Sequence, residues 1–322
     1  MRFLFAWVLA ATFPLLAAGQ TGSDSAALEW IARIYSAGQK LSYSGIMVYQ
    51  AGERSETSRI VHVFDAGHEL EKLESLDGSP REVIRKNDVV KCYLPKQKTL
   101  IVDQAGSGRG FPSRLVASHA TLSEHYRVTL GDEDRVAGRI ARQVELDPKD
   151  DLRFGLVLWA DRDTGLLLKA RMTDAQGGII EQFSFTEVTV GGEVDRDAFR
   201  SRFEGEAGWR VIDAKGSEMA GDGVGWRLAS AVPGFRMTSA VRRQLGDAHG
   251  DVVHMVFSDG LASMSVFIEP LHEGREPDTG ATRSGPVSIY ARRVGAYLVT
   301  SLGEAPPKAV QVLAEAVEAV RP

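Results

Sequence analysis

Residues 152–188 read LRFGLVLWADRDTGLLLKARMTDAQGGIIEQFSFTEV. Three apolar runs, 152–160, 166–173 and 179–188, are separated by Asp163-Thr164-Gly165 and by Gln176-Gly177-Gly178. Runs of this length joined by short Gly-containing turns predict consecutive antiparallel hairpins. The same grammar extends upstream. Residues 126–130 and 140–146 are strand-like, and Tyr43, Gly45, Met47 and Tyr49 alternate with Ser44, Ile46, Val48 and Gln50. Ile60, His62 and Phe64 alternate with Val61 and Val63, and 82–84, 89–94 and 100–102 follow around Asp77-Gly78 and Asn87-Asp88. So many strands in series need helices over one apolar face. Leu28, Ile31, Ala32 and Tyr35 supply one at helical spacing, capped near Asp24 and Ser25 and stopped at Gly38. Residues 115–126 supply a second helix or helical turn. The pattern predicts an α+β fold: a large N-terminal unclosed antiparallel β-barrel covered by helices, over 24–204.

The composition changes at 205–224, where glycine is frequent and apolar residues are few apart from Trp209, Val211 and Ile212. This predicts a Gly-rich linker, mobile around 214–223. Beyond it, 225–322 reads as a small α+β domain. Strands at 252–257 and 262–269 flank Asp259-Gly260, strands at 287–293 and 296–301 flank Val294-Gly295, and a helix over 308–320 carries Val310, Leu313, Ala314 and Val317. Four or five strands and one helix are expected there.

At the other end, Arg2, the apolar run 3–16 and the small residues Ala17, Ala18 and Gly19 have the order of a secretory signal peptide, predicted over 1–19. The run is short for a membrane span, which needs about 20 apolar residues. The reading is therefore of an exported chain. The one cysteine, Cys92, can form no internal disulfide and lies too far from the leader to bear a lipid.

The chain has 38 Lys and Arg against 43 Asp and Glu, a net charge of −5, which argues against a nucleic-acid partner. None of the seven histidines stands at zinc-ligand spacing, and GxSxG and phosphate-loop motifs are missing. Asp147, Asp150 and Asp151 form an acidic cluster, more simply read as a solvated turn than as a calcium loop. No catalytic residue, metal site or cofactor is expected. The apolar strand residues offer a binding surface instead: Tyr43, Met47, Tyr49, Phe154, Leu156, Leu158, Phe183 and Phe185 are the candidates for an apolar cleft suited to an acyl chain.

Two groups of segments carry a family resemblance. The first comprises 126–130 (YRVTL), 135–139 (RVAGR), 153–159 (RFGLVLW), 163–169 (DTGLLLK) and 181–186 (EQFSFT). The second comprises Pro233-Gly234-Phe235, 258–262 (SDGLA), 265–270 (SVFIEP) and 303–306 (GEAP). Together they resemble the RseB/MucB family of sigma-E regulatory proteins, in order and along essentially the whole mature chain. The resemblance implies an N-terminal half-barrel like those of the lipoprotein carriers LolA and LolB, and a smaller domain that helps hold the periplasmic part of an RseA/MucA-like anti-sigma factor. It implies shielding of that partner from its site-1 protease, release by a lipid, lipopolysaccharide or lipoprotein signal, and self-association, a dimer being expected. Phe235, Asp259, Leu261, Phe267 and Glu269 are the candidate partner-binding residues. The alternative is a periplasmic carrier of the LolA type, which would leave 225–322 without a role.

Overall fold

In the computed structural model of the chain, the residues described are 20–104, 119–205, 207–220, 224–244, 251–271 and 278–320. The expected leader, the Gly-rich loop 105–112, His249 and His272 lie outside them. In chain order the first part carries α1 (Gln20–Lys40), β1 (Tyr43–Ala51), β2 (Arg54–Asp65), β3 (His68–Ser75), β4 (Glu82–Lys86), β5 (Val89–Leu94), β6 (Thr99–Gln104), α2 (His119–His125), β7 (Tyr126–Val136), β8 (Arg139–Pro148), β9 (Gly155–Asp161), β10 (Leu167–Thr173), β11 (Ile179–Val190) and β12 (Arg210–Asp213). Among the described residues these strands form one sheet in the order β12-β6-β5-β4-β3-β2-β1-β11-β10-β9-β8-β7. The two end strands do not pair with each other, so the barrel is unclosed. The predicted hairpin turn at 163–165 is built as its sequence requires. Asp161 Oδ1 accepts from the Asp163 and Thr164 amides, and Gly165 takes the left-handed conformation.

Helix α1 lies on the inner face of this sheet. Its buried stripe is Ala27, Ile31, Ile34 and Ala37, one position off the expected set, with Leu28 packed alongside. It meets Leu158, Ala170, Phe183 and Phe185 in one continuous core. At the end of α1 the Leu41 carbonyl receives Nδ1 of the buried His62 at 2.8 Å, and the His62 ring stacks on Tyr43. Glu69 receives His62 and Arg85. Burial pushes the Glu69 carboxyl up, but these two partners outweigh it and hold the group at about 2.

The second part carries β13 (Ser217–Glu218), β14 (Trp226–Leu228), β15 (Arg236–Gln244), β16 (Asp251–Ser258), β17 (Ser263–Pro270), β18 (Gly280–Ser284), β19 (Val287–Val294), β20 (Tyr297–Gly303), α3 (Pro307–Ala316) and β21 (Val317–Ala319). Seven described strands make a sheet, β13-β15-β16-β17-β20-β19-β18, larger than the four or five strands expected. Strand β15 escapes sequence reading because RMTSAVRRQ is mostly polar and a bulge between Met237 and Ser239 breaks its alternation. Helix α3 presents Val310, Leu313 and Ala314 to Val253, Met255, Met264, Val266 and Val299. It ends at Ala316, short of the expected Val320, because Val317–Ala319 turns extended and pairs with Trp226–Leu228.

Within the expected linker 205–224, of which 206 and 221–223 lie outside the described residues, short strands flank 214–216. Arg210–Asp213 runs parallel to Thr99–Val102 at the edge of the first sheet, and Ser217–Glu218 pairs antiparallel with Val241–Arg242 in the second. Ahead of β12, 195–205 and 207–209 lie against the outer face of β3–β5. Lys72 Nζ donates to the Arg200 carbonyl at 2.7 Å, Arg202 pairs with Glu74 and Glu82, and Trp209 packs between Phe203 and Tyr93.

Candidate functional site

A buried polar cluster lies where the two sheets meet. It starts from a turn. Asp150 Oδ1 accepts from the Leu152 amide at 3.0 Å, which ends β8 and turns the chain before β9 starts at Gly155. The expected strand 152–160 is shorter for this reason: Leu152 and Arg153 point into the joint. Arg153 is fully enclosed, its side chain 0 % exposed. Its guanidinium donates to Asp150 Oδ2 at 2.5 Å, to Asp259 Oδ2 at 2.5 Å and to the Pro233 carbonyl at 2.7 Å, and lies 4.7 Å over the Phe235 ring. Asp259, also enclosed, uses Oδ1 for its own turn, accepting from the Leu261 and Ala262 amides at 2.9 and 2.8 Å. One carboxylate therefore shapes a hairpin turn and neutralises a cation from the other sheet.

Each domain also lends the other an apolar side chain. Leu261 is buried in the first core and Leu152 in the second. Gly234 has positive φ, and a Cβ there would run into the His125 imidazole and the Arg153 guanidinium. Above the joint, exposed Lys308 pairs with exposed Asp151. Tyr126 lies beneath it; burial first, then the Asp259 charge, pushes its hydroxyl well above the ordinary range.

A second contact lies along the connection between the two sheets. Arg243 of β15, itself buried, reaches Asp103 of β6 at 3.5 Å. On the same face of β16, His254 is 3 % exposed, stacks on Phe267 at 4.2 Å, and has no hydrogen-bond partner for either ring nitrogen. Burial, and then the Arg243 charge, lower its pKa from the ordinary 6.5 to about 4. The folded state thus resists a proton that the unfolded chain accepts. Stability is expected to be full above pH 6.5, to fall by on the order of 2–3 kcal/mol as pH drops towards 4, and to level off below it. Urea unfolding at stepped pH checks this; His254→Phe should flatten that part of the profile.

Of the candidate partner-binding residues, Phe235, Asp259 and Leu261 are buried in the joint, whereas Phe267 and Glu269 are half-buried on β17. Of the candidate cleft residues, Tyr43, Met47, Leu156, Leu158, Phe183 and Phe185 are buried in the first core, and Tyr49 and Phe154 are half-exposed beside it. Tyr49 donates to the buried Glu181 at 2.5 Å. Sequence reading missed a row on the inner side of β3–β6: Leu73, Val83, Cys92 and Ile101 stand in register across four strands and are half-exposed. It read Asp147, Asp150 and Asp151 as a solvated turn; Asp147 and Asp151 are exposed, whereas half-buried Asp150 turns towards the joint and pairs with Arg153. Among the described residues no cluster of His, Cys, Asp and Glu is arranged to hold a metal, and no helix is long and apolar enough to cross a membrane.

Comparison with known proteins gives this geometry a setting. The profile of the MucB/RseB N-terminal domain matches residues 26–203, and that of the MucB/RseB C-terminal domain matches 221–318. The chain belongs to the MucB/RseB family. The sigma factor AlgU regulatory protein MucB of Pseudomonas aeruginosa is 32% identical over 288 residues, 87% of each chain. In the solved MucA/MucB complex of P. aeruginosa, the matching chain superposes with a TM-score of 0.74 at 28% identity, covering 92% of this chain and 100% of that one. A crystal structure of MucB superposes with a TM-score of 0.66 at 26% identity, covering 92% and 98%. MucB/RseB relatives are thus sigma-factor regulatory proteins of the same two-domain length. The two family domains meet in this chain at the Arg153 joint.

Proposed function

We propose that this chain is a periplasmic negative regulator of a sigma-E type stress response. It binds the periplasmic part of a membrane anti-sigma factor and shields it from site-1 proteolysis. The observation that carries this reading is the likeness, over nearly the full length of both chains, to MucB solved together with MucA. The regulator acts by binding, without catalysis. A segment that is unfolded alone is open to a protease, and enclosing it in a complex hides it. The leader 1–19 would export the chain.

A lipid, lipopolysaccharide or lipoprotein signal would release the partner, with its acyl chain against the half-exposed row Leu73, Val83, Cys92 and Ile101. Such a signal lowers partner affinity by as much as the partner lowers its own, and a useful switch needs a coupling of roughly 1–3 kcal/mol. The active species is expected to be a dimer, read out by light scattering. A simple lipid carrier is the competing reading. The second domain, built on a sheet of seven described strands and joined to the first through an enclosed ion pair, argues against it.

The test is capture by the immobilised periplasmic segment of an anti-sigma factor, followed by digestion of that segment with its site-1 protease. Capture with slowed cleavage is the expected result. Lipid transfer between vesicles with neither capture nor protection would replace the regulator by the carrier.

A further inference from the structure

Among the described residues the two domains touch through two zones that differ in kind. The Arg153 joint is made by side chains: Arg153 with Asp259 and the Pro233 carbonyl, Lys308 with Asp151, and the exchanged Leu152 and Leu261. The other zone is a backbone connection with one side-chain pair beside it, the buried Arg243 reaching Asp103 at 3.5 Å. The Arg210 and Ala214 amides donate to the Lys98 and Val102 carbonyls at 2.8 and 2.7 Å, bracketing β12 on β6, and the Met219 amide donates to Ala240 at 2.8 Å, extending β13 on β15. Between these ladders stand three residues, Ala214, Lys215 and Gly216. Even fully extended, the chain from Asp213 to Ser217 spans no more than about 14 Å. The domains cannot part at this edge without unzipping one ladder. Gly216 has positive φ and lies against the Arg242 carbonyl, so its backbone turns where a larger residue would not fit.

We propose that the two domains open about the strap formed by residues 210–219, with Gly216 at the pivot, and that the Arg153 joint is the latch that closes them. Side-chain pairs can break and re-form while the ladders persist, because a hinge needs a few residues that absorb a backbone rotation and a closed state held by contacts elsewhere. Arg153 is then a positioning residue: it sets the angle between the two sheets and touches no partner itself. The motion belongs to the chain alone and stands or falls independently of which molecule the protein binds.

Two measurements on the full mature chain test it. In amide hydrogen exchange, Lys308→Glu, which reverses an exposed charge facing Asp151 and leaves both cores intact, is expected to speed exchange at Phe235 and Leu261 several-fold, with Ala214 and Met219 unchanged. In small-angle X-ray scattering, Arg153→Met is expected to enlarge the molecule. A disulfide placed between Val211→Cys and Leu100→Cys, in a Cys92→Ser background, should leave that enlargement in place. Faster exchange at Ala214 and Met219 than at the joint, or an expansion that the strap disulfide abolishes, overturns the proposal. Unaltered exchange at the joint in Lys308→Glu does so as well, and that variant decides the matter if Arg153→Met fails to fold.

Discussion

Arg153→Met is expected to remove about 3–5 kcal/mol of stability, the usual loss when one partner of a buried ion pair is deleted. The substitution preserves much of the aliphatic stem and deletes the charge. Asp259 would keep its two amide donors, Leu261 and Ala262, yet its carboxylate would stay enclosed without the guanidinium that now sits 2.5 Å away. The Pro233 carbonyl would lose its donor, and the Phe235 ring would lose the cation above it. Adding Asp259→Asn should restore part of the loss, because the side-chain carbonyl can still hold the turn while no uncompensated charge remains. Chemical denaturation of the two variants beside the unmodified chain measures both terms. A loss below about 1 kcal/mol for Arg153→Met would mean that water reaches Asp259, contrary to an enclosed pair. Because the joint couples the two cores, the single transition is also expected to separate into two.

Phe183→Ala should cost about 3–5 kcal/mol, the range for emptying an aromatic side chain from a packed core. Phe183 is 1 % exposed, meets Phe185 edge-on at 6.2 Å, and stands in register with Ala170 on β10 and Tyr49 on β1. The experiment decides between two meanings of the same residue. Filling material leaves a cavity that the surrounding structure only partly closes. The wall of an open groove would lose little, since its ring would already face solvent. Urea unfolding with an unchanged slope and a midpoint shifted by that amount assigns Phe183 to the core; a shift below about 1 kcal/mol assigns it to a groove. Half-exposed Tyr49→Phe is the companion, expected to change stability by about 1 kcal/mol through its bond to Glu181.

The hairpins of the first domain are legible in sequence because their turns carry local chemistry. Asp161, Thr164 and Gly165 bond to one another within five residues, and the apolar runs on either side are long. The apolar stripe of α1 is legible to within one position for the same reason. The joint is not. Arg153 and Asp259 lie 106 residues apart; the sequence puts Arg153 in a strand and Asp259 in a turn, and nothing local pairs them until the fold brings them together. Asp259 was legible as a turn former, and its second oxygen was free to do something no local rule describes. Strand β12 is hidden differently: Arg-Val-Ile-Asp is four residues inside a glycine-rich stretch, and it is extended because β6 offers it a ladder. Strand β15 fails the alternation test through its bulge. Local propensity thus recovers the elements that fold from their own residues and misses those imposed by a neighbour.

Strand β6 reads Thr99-Leu100-Ile101-Val102-Asp103-Gln104, a β-prone apolar run at the margin of the first sheet. Its outer row of amides and carbonyls is occupied by β12, which comes from the connection between the two domains. The consequence concerns solubility. A recombinant fragment cut at residue 204 would retain the first core but leave that margin bare, a template onto which other copies could stack into fibres. The connection is therefore also a built-in guard against self-polymerisation, and the practical boundary of the first folding unit lies beyond Asp213.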